Sequence, residues 1–195
     1  GVLLSLLFAA HWTEGYADMI QKGIGGKVVR FHVLANSDSE ADQTLKLAVR
    51  DRVLQEYGDL LEACTSKEET LATLKNAQQE ISETAEAEVL AQGYTYPVRV
   101  SLVREEFPFK KYGDLIFPAG VYDALRIEIG EAKGKNWWCV LYPQMCYVDA
   151  AWGYSTEESH VRLQNTLTKE EFLVVSAMEQ KKITPKIKCR LVELW

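Results

Sequence analysis

Lys27 to Ala35 reads KVVRFHVLA, and Asn36-Ser37-Asp38-Ser39 stops it at once. Val29, Phe31 and Val33 share one side of an extended chain, and β-branched and aromatic residues favour a strand there. Ser39 with Asp42 three residues on resembles a capping box with Asp in place of Glu, so a helix follows directly. Leu45, Ala48, Val49, Val53 and Tyr57 recur at helical spacing, with Gly58 near the end. A strand feeding a capped helix is the first unit of a chain that mixes the two.

Downstream, Ser66 with Glu69 is a full capping box opening a second long helix, carrying Leu71, Leu74, Ile81 and Ala85 and closed by Gly93. The period then changes to two. Val98, Val100 and Leu102 alternate with Arg99 and Ser101, and Leu125, Ile127 and Ile129 alternate with Arg126 and Glu128, giving two half-exposed strands. Phe107 to Gly120, with two prolines and two glycines, reads as a long excursion between them. A turn at Gly130 to Lys135 leads to Trp137–Tyr142 (WWCVLY), an apolar run suited to a central strand covered on both faces. Pro143 to about Thr166 reads as irregular, Thr168 with Glu171 caps a short helix through Met178, and Ile187, Cys189 and Leu191 alternate with Lys186, Lys188 and Arg190 in a last strand. The order predicts one α+β domain over residues 27–195: a mixed, mostly antiparallel β-sheet with adjacent hairpins and helices packed on one face.

Upstream, Val2 to Ala10 (VLLSLLFAA) is too short to span a bilayer but suits the apolar region of a secretory signal. Gly15-Tyr16-Ala17 offers small residues for cleavage after Ala17. Residues 1–17 therefore read as a signal peptide or membrane anchor, and residues 18–26, with Gly23, Gly25 and Gly26, as a flexible joint. The 195 residues carry 28 acidic against 22 basic side chains, a net charge of −6, which argues against a nonspecific nucleic-acid binder. With 47% hydrophobic residues and four cysteines, the chain is neither disordered nor a disulfide scaffold.

Candidate chemistry is sparse. Gly23-Ile24-Gly25-Gly26 precedes a strand, whereas dinucleotide-binding glycines follow one, and Gly130-x-x-x-Gly134-Lys135 lacks the hydroxyl and the helix of a P-loop. No Cys or His spacing suits zinc, and no metal or cofactor is expected. Cys139 and Cys146, seven residues apart, could meet across a reversal at Pro143 as a disulfide, or pack as two buried thiols. Cys64 and Cys189 read as buried singles. A Cys139 nucleophile with His32 or His160 as base would need an exposed thiolate, which the apolar strand does not offer. Asp42 and Lys46 have the spacing of a solvated i,i+4 pair. What remains is a polar cluster, Asn36-Ser37-Asp38, beside an aromatic one, Asn136-Trp137-Trp138. The former suits a helix cap, while alternation sends the two tryptophans to opposite faces, so that one could line a binding surface.

Arg30 to Leu54 (RFHVLANSDSEADQTLKLAVRDRVL) and Phe117 to Asp149 (FPAGVYDALRIEIGEAKGKNWWCVLYPQMCYVD) resemble the signature segments of the stage II sporulation protein R family. Two departures are Gln144-Met145, where the family usually reads Pro-Leu, and Ala132, where Gly is usual. The resemblance implies a signal rather than a catalyst. Members are made in the forespore and exported into the space between the two cells. There they trigger a membrane-embedded aspartic protease of the mother cell, acting on its external portion, and the protease processes a sigma factor precursor. The family defines no catalytic residues. By position, the candidates for a receptor-binding or structural role are Asn36, Ser37, Asp38, Asp42, Gln43, Lys46, Arg50, Asn136, Trp137 and Trp138, with Cys139 and Cys146. On this reading the membrane is met only through the leader. The alternatives from the residues alone are a secreted thiol-dependent or cell-wall hydrolase using Cys139, or a secreted peptide- or glycan-binding module.

Overall fold

The computed structural model describes the backbone of residues 2–146 and 157–177, and side chains of 15–146 and 157–176. The elements are α1 (Val2–Lys27), β1 (Val29–Leu34), α2 (Glu40–Glu62), α3 (Lys67–Ala91), β2 (Val98–Phe107), β3 (Lys110–Tyr112), β4 (Leu115–Phe117), β5 (Gly120–Ile129), β6 (Asn136–Tyr142), α4 (Glu157–Thr166) and α5 (Lys169–Ala177). The fold is α+β and forms one domain. Local chemistry sets the helix starts. The Asp42 amide donates to Ser39 Oγ, the Glu69 amide to Ser66 Oγ, and Thr168 and Glu171 exchange bonds in a complete capping box. Gly93, at φ +83°, ends the turn after α3, a conformation other residues adopt at a cost.

The main sheet has the order β2-β5-β1-β6, with β1 and β5 parallel and the outer pairs antiparallel. Alternation along β1 then divides the core. Val29, Phe31 and Val33 point to the first face, where Leu125 and Ile127 of β5 meet Leu45, Val49 and Val53 of α2 and Leu74, Ile81 and Ala85 of α3. Arg30 and His32 point to the second. That face is also covered, by Ile20 and Ile24 of α1, Leu115 and Phe117 of β4, Leu163 of α4 and Val175 of α5. The sequence reading placed helices on one face only, because it missed the α1 contribution and α4.

Four local expectations are corrected. Residues 18–26 are no flexible joint: α1 runs through them to Lys27, with Ile20 and Ile24 buried. Gly25 lets that helix approach the strand, since a Cβ there would meet the Val121 carbonyl oxygen at 2.6 Å. Among the described residues the WWCVLY strand lies at the edge of the sheet, not the centre; it is apolar because Cys139 and Leu141 enter the first core and Val140 the second. The strands expected as a hairpin across residues 130–135 are separated by β1, which lies between them. Within 107–120 and 143–166, expected irregular, the structure forms the β3–β4 ribbon and α4. The side chains of the leader up to residue 14 and the expected strand at Ile187–Leu191 lie outside the described residues. Among the described residues no helix is long and apolar enough to cross a membrane.

The second face closes over a charge. Arg30 is fully buried among the rings of Phe107, Phe117, Tyr122 and Tyr112, with its guanidinium carbon 4.8–5.7 Å from their centroids. Its Nε donates to the Cys139 carbonyl and its Nη2 to the Tyr112 hydroxyl, while Nη1 has no partner among the described residues. Burial lowers its pKa, and no carboxylate pairs with it among the described residues. The aromatic faces take the counter-ion's place. Removing the side chain empties a large core site and also breaks both hydrogen bonds. Arg30→Ala should therefore cost about 3–5 kcal/mol in urea unfolding, and the volume-conserving Arg30→Met distinctly less; equal losses would show that the cation, not the packing, carries the site.

Candidate functional site

The two signature segments meet where β1 ends. Because β5 and β6 flank β1, residues 130–135 must cross its C-terminal end, and the Asn36–Asp42 segment is what they cross. Gly134 donates its amide to the Ala35 carbonyl (2.9 Å) and Lys133 to that of Asn36 (3.2 Å). Asn36 Oδ1 accepts the Glu131 amide at 2.9 Å, and Asp38 Oδ1 the Lys135 amide at 2.7 Å. Asp42 holds the other side. Its Oδ2 accepts from Asn36 Nδ2 (2.9 Å) and Ser37 Oγ (2.5 Å), and the Tyr96 hydroxyl reaches the same carboxylate. Gln43 Nε2 donates to the Ser37 carbonyl, and buried Lys46 donates to Gln43 Oε1 and to the Lys135 carbonyl. Lys46 thus serves the loop rather than forming the i,i+4 pair with Asp42 that its spacing suggests.

This is a polar junction with nearly every donor and acceptor assigned, and the glycines make it close. A Cβ at Gly130 would collide with the Asn36 amide, and one at Gly134 with the Ser37 carbonyl. Ala132 stands at φ +53° in the same loop, so the one non-glycine departure in this segment occupies a left-handed position. The donors around Asp42, Ser37 first and then Asn36, hold its carboxyl below the usual aspartate range.

The tryptophans diverge as alternation requires. Trp137 faces the first core, edge-on to Phe31 at 5.7 Å and under the Arg50 guanidinium at 4.8 Å. Trp138 faces the second, stacked on His32 at 4.8 Å, with Phe107 edge-on and Lys110 Nζ 5.2 Å from its ring centre. Asn136, Trp137 and Trp138 are half-buried. Cys139 and Cys146 are joined, with Cα atoms 5.5 Å apart. The reversal between them is fastened to α2 by Gln144 Nε2 on the Gly58 carbonyl and to the following loop by the Tyr142 hydroxyl on the Thr65 carbonyl.

The thiol chemistry has no geometry. Cys139 is held in the disulfide on the first face, while His32 of β1 points to the second. Burial, with Arg126 and Arg30 nearby, lowers the His32 pKa to about 3, so its ring is neutral, and the Glu105 oxygen 2.6 Å from Nε2 contacts a neutral imidazole. His160 lies elsewhere, 3.0 Å from Asp114. Among the described residues no cluster of His, Cys, Asp and Glu could hold a metal ion. Tyr96 and Arg30 escaped the sequence reading. Tyr96 sits in a loop after Gly93 with no periodic signal, and Arg30 looks like the polar residue of an alternating strand.

Two measurements follow from the junction. Asp42 contributes stability that is present above the unfolded aspartate pKa of about 3.9 and is lost as the pH falls through the lower folded value. Urea midpoints should therefore drop across that acidic window in the native chain, while Asp42→Asn should be less stable at neutral pH and flatter there. Separately, Ala132→Gly should raise stability by about 1 kcal/mol in the same assay by removing the left-handed alanine; a loss would mean the loop is held differently.

Comparison with known proteins follows the junction closely. The family model described as "Stage II sporulation protein R (spore_II_R)" matches residues 25–152, which include both signature segments. The chain is 32% identical over 180 residues to "Stage II sporulation protein R" of Bacillus subtilis (strain 168), covering 87% of this chain and 80% of the relative. No solved structure matches. The chain belongs to the stage II sporulation protein R family, and its role is in sporulation.

Proposed function

We propose that this protein is an exported sporulation signal that binds the external portion of a membrane-embedded aspartic protease and activates it, leading to processing of a mother-cell sigma factor precursor. The match to the stage II sporulation protein R family over most of the chain is the observation that carries the reading. The physical chemistry agrees with a ligand. Asn36, Asp38, Gln43 and Lys46 are spent on holding one loop, and Cys139 and His32 lie on opposite faces of the sheet. A disulfide is also suited to an oxidising compartment outside the cytoplasm. The acidic balance of the chain limits adhesion to anionic lipid on the way to a receptor.

Reconstitution tests this directly. The purified protein, added outside vesicles that hold the protease and its precursor substrate, should start precursor cleavage, and heat-unfolded protein should not. Cleavage at the same rate with and without the folded protein would overturn the proposal.

A further inference from the structure

The reversal after β6 belongs to both cores. Its neighbours Met145 and Cys146 part there: Met145 joins the second core with Leu163 of α4, and Cys146 the first with Tyr57 and Leu61 of α2. Side chains make the same join nearer the surface. Gln144 Nε2 donates to the Gly58 carbonyl of α2 at 3.1 Å, and its Oε1 accepts from Arg162 Nη1 of α4 at 3.3 Å. Arg162 Nη2 then reaches Glu62 of α2 at 2.7 Å. Gln144 therefore links a helix of one layer to a helix of the other.

The Cys139–Cys146 bond holds that glutamine in place. Cys139 is fixed by the sheet itself, opposite Phe31 in the β1–β6 register. Cys146 lies beyond the end of β6, where the chain is tied back by the disulfide and by the Met145 amide at the Val140 carbonyl, 3.1 Å. The ion pairs of Arg162 are no substitute. Their partners Glu62 and Glu158 keep 54% and 71% of their side-chain surface, and pairs that exposed contribute little.

We infer that the Cys139–Cys146 pair is a redox latch: its closure secures α4 to α2 through Gln144, after the sheet and the first layer have folded. The inference rests on the proposed export for the place of closure, because the chain is made where thiols stay reduced and meets oxidants outside. The step is thiol–disulfide exchange with a thiol oxidase facing that compartment. Two protein thiols and the oxidase disulfide become one protein disulfide and an oxidase dithiol, so two protons and two electrons pass to the oxidase. Reduction reverses the step and loosens α4, while β6 keeps its ladder to β1. Leu163 and the His160–Asp114 contact hold α4 in both states, so the latch sets how often the helix opens.

Amide exchange tests the latch without the protease, so its failure and that of the activation reading are separate. The full chain is refolded with its thiols kept reduced and is then oxidised with glutathione disulfide, and peptide mapping should find Cys139 joined to Cys146. Val161 to Thr166, whose amides are bonded within α4, should exchange about tenfold or more faster in the reduced chain, while β1 and β5 change little. Equal α4 rates in the two states would overturn the inference. A reduced chain with β1 and β5 unprotected would also overturn it, since the bond would then hold the whole fold, and so would oxidation that joins other thiols. Gln144→Ala keeps the bond and should speed α4 exchange in the oxidised chain; unchanged rates there would overturn the link through Gln144. Cys146→Ala should exchange like the reduced chain whether or not oxidant is present, and an α4 that tightens on oxidation in this variant would contradict the assignment.

Discussion

Asn36 is gripped from one side and grips on the other. Its amide nitrogen donates to Asp42, and its carbonyl oxygen receives the Glu131 amide. The need for such a bridge comes from topology. With β1 between β5 and β6, the short link from Gly130 to Lys135 must pass over a strand end whose main-chain groups have just run out of partners. Leaving buried main-chain groups there unpaired would cost about 1–3 kcal/mol each. The Asn36–Asp42 segment supplies the partners, and the same residues start α2. Strand end, helix start and crossing loop are one construction, so the order of the sheet depends on it.

From β1 outward, alternation assigns everything else. Phe31 and its lateral neighbour Cys139 belong to the face covered by α2 and α3; Arg30, His32 and Trp138 belong to the face covered by α1, the β3–β4 ribbon and the last two helices. That separation keeps the imidazole away from the disulfide and places the buried Arg30 cation in an aromatic shell. It also ties α1 to the domain. Lys67 Nζ reaches the Gly25 carbonyl at 2.7 Å and Asp123 at 2.6 Å, so the last turn of α1, the first turn of α3 and β5 share one buried ammonium.

Much of this was legible in the sequence, for reasons that can be named. The helices carried capping boxes at Ser39, Ser66 and Thr168, and the strands at Val98 and Leu125 showed clean alternation, because each has one polar face. WWCVLY is buried on both faces, which mimics a central strand, although among the described residues it lies at an edge. The glycines before β1 read as a joint because their other use, close packing of α1 on Val121, leaves no local mark. The polar cluster was visible as residue types, but its purpose was not: a cap and a loop anchor use the same Asn and Asp, and only the order of strands tells them apart. Tyr96 joins Asp42 through tertiary contact alone, which no spacing encodes.

On this account the signature of the family is architectural, and recognition falls to surfaces that the junction holds in place. The central claim is that Asn36 and Asp38 bind the crossing loop as firmly as the sheet itself. Native-state amide exchange at Glu131 and Lys135 measures this most directly. Both residues have exposed side chains, yet their amides should exchange only as slowly as those of β1, by global unfolding, and Asn36→Ala should release Glu131 first. Exchange at the rate of an open loop in the native chain would contradict the account.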